Sequence, residues 1–175
     1  MTLKNRPQNE IMDIQSNAEK LRIRLRKLPW RNEAELALTR YFSTFGQFDL
    51  EASFLDGWRL LEAIGGNSRE KSKKLVERAA WFFEDREKRY QIGLHLMHRR
   101  HLISHGRPIG KENNERLAYQ MKKFLFPLLH AYLTNPFNLR SLDEFWGFCD
   151  LPVEKATRMR QAHILECARK FRQEN

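Results

Sequence analysis

Apolar residues recur along almost the whole chain at three- and four-residue intervals, the spacing that gathers them on one stripe of an α-helix. After a loose tail over residues 1–9, Ile11, Ile14, Leu21, Leu25 and Leu28 outline a helix from Glu10 to Leu28. Pro29 separates it from a second helix, Trp30 to Phe45, that breaks at Gly46. A third, long helix is expected over Asp49 to Ile64, with Phe54, Trp58 and Leu61 facing inward and Leu55 and Ile64 beside them. Gly65-Gly66-Asn67 stops it, and Ser68 has the residue type of an N-cap for the next helix. That helix carries Leu75, Ala79, Phe82 and Phe83 and runs to about Phe83. The interval Glu84 to Glu87 contains neither Gly nor Pro, which leaves its boundary open.

Tyr90 to Gly106 is again helical, with Tyr90, Leu94, Met97 and Ile103 as the face expected to be buried and with Gly106 and Pro108 as its stop. A loop, GRPIGKENN, leads to a helix over about Glu115 to Thr134, whose Leu117, Met121, Phe124, Leu125, Leu128 and Tyr132 keep a regular helical period. Pro127 lies inside it, where the missing N–H predicts a kink. Asn135-Pro136 closes that helix. The remainder reads as a short helix capped by Ser141, a turn over Gly147 to Leu151 and a final helix with Pro152 at its first position. Val is scarce, while Leu, Ala, Glu, Lys and Arg abound, so the expected class is all-α, one domain over residues 1–175.

Composition changes this picture in one respect. Hydrophobic residues at 41% and charged residues at 31% are ordinary for a globular chain, but a net charge of +10 is not, and it favours a polyanionic partner such as nucleic acid. Arg22, Arg24, Arg26 and Lys27 crowd the end of the first helix, where cations suit the helix dipole and read first as a solvated face. Cys149 and Cys167 lack CxxC spacing and read as free thiols of a reducing compartment. No apolar run reaches membrane-spanning length, and MTLKNRPQNE lacks the apolar centre of a signal peptide, so a cytoplasmic protein without a membrane partner is expected. Gly-rich phosphate loops, Ser-His-Asp candidates and zinc-finger spacings are absent from the sequence.

Candidate chemistry concentrates in YQIGLHLMHRRHLISHG, Tyr90 to Gly106, which holds four of the six histidines and the adjacent Arg99 and Arg100. Within it, RHLISH is an R-x4-H pattern from Arg100 to His105, with the polar His101 directly after the arginine. The pattern resembles the motif of the HEPN superfamily, and GWRLLEAI, Gly57 to Ile64, looks like the first bundle helix of its Apea-like group. The resemblance covers about residues 48–134. It implies a HEPN-like helical bundle as the core, with additional N- and C-terminal helices over about 10–45 and 141–173.

The resemblance further implies a metal-independent endoribonuclease without a cofactor, of the kind found in toxin, antiphage or RNA-processing systems. In it, His105 takes the proton of the ribose 2′-hydroxyl and Arg100 stabilises the charge that gathers on the phosphodiester. Imidazole titrates near neutrality and guanidinium presents a fork of donors to phosphate, so both residue types suit these tasks. His101 stands as a second proton-transfer or phosphate-positioning group, and Arg99 and Arg107 as contacts to the RNA backbone. Glu62 is expected either to orient Arg100 or to pair with the nearby Arg59. Residues five apart on a straight helix point roughly 140° away from each other. The resemblance meets that difficulty with a distorted helix end and a homodimer that joins two motifs in one cleft; a regulatory protein partner is a further expectation.

Other readings stay open beside it. His98, His101 and His105 at i, i+3 and i+7 share one side of a helical wheel, as a three-histidine metal site would need. Ser141 to Arg160 has the length of a helix-turn-helix with Lys155, Arg158 and Arg160 on its second helix, although Phe145, Trp146 and Phe148 suit docking onto the bundle better. A non-catalytic HEPN-like scaffold or antitoxin partner would need neither Arg100 nor His105. The blandest alternative makes Arg100 a surface cation and His105 a helix-end residue favoured by the dipole.

Overall fold

Each stretch with a helical apolar period forms a helix in the computed structural model, which describes residues 8–66, 71–106 and 111–171. The fold is all-α. In chain order the elements are α1 (Gln8–Arg26), α2 (Arg31–Gly46), α3 (Leu50–Gly65), α4 (Ser72–Ala80), α5 (Arg86–Ser104), α6 (Lys111–Thr134), α7 (Leu142–Cys149) and α8 (Lys155–Phe171). No strand occurs among the described residues, and none of the helices searched among them is long and apolar enough to cross a membrane. Ser68, expected as a cap, and Arg107, expected to contact RNA, lie outside the described residues, as does the start of the N-terminal tail.

The centre of the bundle is the contact of α3 with α6. Asp49 starts α3 by accepting hydrogen bonds from the backbone N–H groups of Glu51 and Ala52, both at 3.0 Å, which satisfies donors a helix start leaves open. From there Phe54, Trp58, Leu61 and Ile64 form one buried stripe, joined by Leu60. Leu117, Met121, Phe124, Leu125, Leu128 and Tyr132 of α6 face it and are likewise buried. Burying each such side chain stabilises the fold by about 1.5–3 kcal/mol before the entropy of ordering it is subtracted. Gly57 permits the close approach: a Cβ there would sit 2.8 Å from Met121 Cγ and 3.1 Å from Phe45 Cζ. Helix α6 continues through Pro127 without a break.

Two expected details are corrected and two are filled in. Helix α4 ends at Ala80 rather than near Phe83, because Phe82 and Phe83 turn away to stack on Phe145 and Phe124, with ring centroids at 6.2 and 6.1 Å. The open interval resolves into a turn at Glu84–Asp85, with helix from Arg86 onward. Pro152 is not the first position of the last helix, which begins at Lys155; its carbonyl instead accepts from Arg158 Nη1 at 2.8 Å and anchors the approach to α8. Finally, the expected face of α5, Tyr90, Leu94, Met97 and Ile103, packs against the core but is only partly buried, and the residues that go fully inside are Gly93 and Leu96 beside it.

Gly93 explains the seating of α5. A Cβ on it would come within 2.6 Å of Phe124 Cζ and closer still to Val76, so only glycine lets α5 lie down on α4 and α6 at this distance. On its outer side α5 leaves His95, His98 and His101 exposed.

The C-terminal part is fastened to the same core. Ser141 caps α7 by accepting from Glu144 N at 3.2 Å. Phe145 is fully buried among Trp30, Phe82 and Tyr132, and Trp146 Nε1 donates to Ile64 O at 3.1 Å. Arg78, only 3% exposed, donates to both carboxylate oxygens of Asp150 at 2.7 Å and to Gly65 O at 2.6 Å. This fork ties α4, the end of α3 and the end of α7 together. Burial opposes the Asp150 charge, but the hydrogen bonds from Arg78 and Lys74 and their charges outweigh it and hold the carboxyl below its ordinary range. Helix α8 contributes no buried residue.

Candidate functional site

The buried ring of Trp58 leaves its indole N–H in need of an acceptor, and Glu62, one turn further along α3, supplies it at 2.8 Å. With its carboxylate held this way, Glu62 also accepts from Arg100 Nη2 at 3.4 Å across the gap to α5. Of the two partners expected for Glu62 the geometry selects Arg100, because Arg59 pairs with Asp56 at 2.7 Å. The Arg100 contact is long and its partners are 37% and 33% exposed, so it contributes at most about 1 kcal/mol. It orients the guanidinium more than it stabilises the fold.

Arg100 lines a cavity of about 320 Å³ together with His98, His101, Met97 and Ser72. One turn beyond His101 lies His105, where α5 ends. Its N–H donates to the carbonyls of both His101 and Leu102 at 3.2 Å, and Gly106, at φ +69°, donates to Ile103 O at 3.0 Å. The last turn is thereby tightened, and the imidazole of His105 meets that of His101 edge to face, with centroids 4.3 Å apart. Both rings are exposed to solvent. A connected series results: Trp58, Glu62, Arg100, the cavity, His101 and His105.

Arg99, expected beside Arg100 on a bound RNA, faces another way. It lines a smaller cavity of about 160 Å³ with His95, Asn113, Arg116 and Gln120, between α5 and α6. Partial desolvation of the His95 ring, followed by the charges of Arg99, His98 and Arg116, pushes the His95 imidazole below its usual range, so it is neutral near pH 7. The three-histidine metal alternative does not assemble, since no group of three His, Cys, Asp or Glu side chains able to hold an ion occurs among the described residues.

The stretch weighed as a helix-turn-helix forms α7 and α8. Its first helix is docked through Phe145 and Trp146, and Arg158 of its second helix bonds the Pro152 carbonyl with its guanidinium 5.7 Å from the Trp81 ring centroid. The residues that sequence reasoning missed are Trp58, as the anchor of Glu62, and Ser72 and Met97, as walls of the cavity. The i, i+4 spacing of Trp58 and Glu62 was the available signal for the first; the others depend on how α4 meets α5.

Compared with protein-family models, with curated proteins and with solved structures, the chain matches none.

Proposed function

We propose that the chain is a metal-independent endoribonuclease of the HEPN type, acting as a homodimer in the cytoplasm within a toxin, antiphage or RNA-processing system. The observation that carries this reading is the Arg100 guanidinium, paired with Glu62 and lining a cavity that it shares with His98 and His101, with His105 in ring contact with His101. In the proposed reaction, His105 removes the 2′-hydroxyl proton, the 2′-oxygen attacks the adjacent phosphorus, and the bond to the 5′-oxygen breaks. Arg100 stabilises the extra negative charge on the phosphoryl oxygens, and a second histidine, His101, returns a proton to the departing 5′-oxygen. The net charge of +10 draws the polyanion to the protein. Pairing two motifs across a dimer lets residues that one helix aims apart surround one phosphate.

The test is incubation of purified protein with mixed single-stranded RNA in excess EDTA, followed by analysis of product ends. Ends bearing 2′,3′-cyclic phosphate and 5′-hydroxyl are expected. Products with 5′-phosphate, or cleavage only after a divalent ion is restored, contradict the proposal.

A further inference from the structure

Another cavity, about 500 Å³, lies away from the histidines of α5, between the α2–α3 turn and the N-terminal half of α6. Its walls combine two chemistries. Phe45 and Tyr119 supply aromatic surface, and Arg116 and Lys122 supply positive charge, with Gln47 and Glu115 as polar groups between them. Phe45 is held rigidly, because it fits against Gly57 and lies 5.1 Å from the Tyr41 ring. Lys122 Nζ stands 5.9 Å from the Phe45 centroid, and Lys123 Nζ stands 4.6 Å from that of Tyr119. Tyr119 is 57% exposed and free to receive a stacked ring.

A purely apolar ligand would have no use for these cations, and a bare polyanion none for the rings. A nucleobase with its phosphate uses both, since stacking on aromatic faces and cationic contact along the backbone are the two means by which single strands are held. Arg116 also lines the small cavity of Arg99 and His95, so positive charge continues from this cavity across α6 to α5. We infer that the cavity between the α2–α3 turn and α6 is a subsite for one unpaired base of a single-stranded RNA, stacked on Tyr119 beside Phe45, with Lys122 and Arg116 on its phosphate. The identity of the strand as RNA rests on the proposed function; the base-plus-phosphate chemistry rests on the cavity itself and would equally suit a free mononucleotide.

Binding is measured by fluorescence anisotropy on the full-length chain carrying His105→Ala, with a labelled single-stranded RNA of about 12 nucleotides, long enough for a site of this kind. The same RNA as a duplex and 5′-AMP serve as the other probes. Tyr119→Ala, at an exposed position, is expected to weaken single-strand affinity about tenfold, leaving duplex affinity and the helical circular dichroism unchanged. Wild-type single-strand affinity in Tyr119→Ala overturns the subsite while leaving the nuclease proposal standing. Absence of RNA binding alongside 5′-AMP binding lost in Tyr119→Ala supports the subsite and removes RNA as its ligand. Binding of neither RNA nor 5′-AMP overturns both.

Discussion

Glu62 does two things at once, and a pair of substitutions separates them. In Glu62→Gln the side-chain oxygen still accepts the Trp58 indole N–H, now at 2.8 Å, while the charge facing Arg100 is removed. An ion pair between groups 37% and 33% exposed contributes about 0.5–1 kcal/mol. If that energy is used to hold Arg100 toward its cavity, its loss slows cleavage roughly two- to fivefold with little change in stability. In Glu62→Ala the indole N–H of a fully buried tryptophan loses its acceptor, which costs about 1–3 kcal/mol. For a chain of this size each kcal/mol lowers Tm by about 2–4 °C. Thermal unfolding followed by circular dichroism, together with single-turnover RNA cleavage, reads both effects. The glutamine variant is expected to melt within about 3 °C of wild type and to cleave more slowly, whereas the alanine variant loses both stability and rate. A glutamine variant as unstable as the alanine one, or one that cleaves at the full wild-type rate, refutes the division of roles.

Three further outcomes follow from the packing. Arg78→Met removes the buried fork on Asp150 and is expected to cost about 2–3 kcal/mol in urea unfolding, below the usual cost of breaking a buried pair because Asp150 stays one-third exposed and keeps Lys74 at 3.0 Å. The folded Asp150 carboxyl lies below its ordinary 3.8, so this stabilisation is complete above that value and disappears as pH falls through the folded one; the difference between wild type and Arg78→Met should therefore shrink on acidification below about pH 4, and a constant difference would count against the pair. Gly93→Ala is expected to destabilise, since overpacking against Phe124 and Val76 at about 1–3 kcal/mol outweighs the helix gain of about 1 kcal/mol, whereas Gly147→Ala, with open space around it, should stabilise; equal shifts in Tm would deny the close approach at Gly93. Burial pushes the Cys149 thiol up to about 12, so iodoacetamide at neutral pH should label the exposed Cys167 and reach Cys149 only after unfolding, as peptide mass spectrometry would register.

How much of this was legible in the sequence depended on whether a feature was local. Helices α3 and α6 could be read down to their individual buried residues, because each keeps a single apolar stripe and packs it against the other. The burial of α5 could not be read the same way. Counting large apolar residues selects Tyr90, Leu94, Met97 and Ile103, which pack against the core only partly buried, whereas the closest approach is made at Gly93, a residue whose contribution is the absence of a side chain. At the candidate site, Arg100 and Glu62 were named from the motif and the LLEAI helix, yet their meeting is set by where α5 crosses α3. Adjacent arginines leave a helix about 100° apart, so the divergence of Arg99 from Arg100 was legible in principle. The Arg78–Asp150 fork, across 72 residues of chain, leaves no local signature, and the aromatic cavity draws on α2, α3 and α6 together.

The proposed chemistry requires Arg100 and His105 in one cleft formed by two chains, and a complementation experiment addresses that requirement directly. Single-turnover RNA cleavage in EDTA is measured for wild type, for Arg100→Ala, for His105→Ala and for an equimolar mixture of the two variants allowed to exchange subunits. Each substitution should slow cleavage by on the order of 100-fold or more, with both proteins folded by circular dichroism. The mixture should recover a substantial part of the wild-type rate, because a mixed dimer regains one arginine and one histidine in the shared cleft. Full activity in His105→Ala, or variants that are inactive alone and gain nothing on mixing although subunit exchange is demonstrated, would contradict the account.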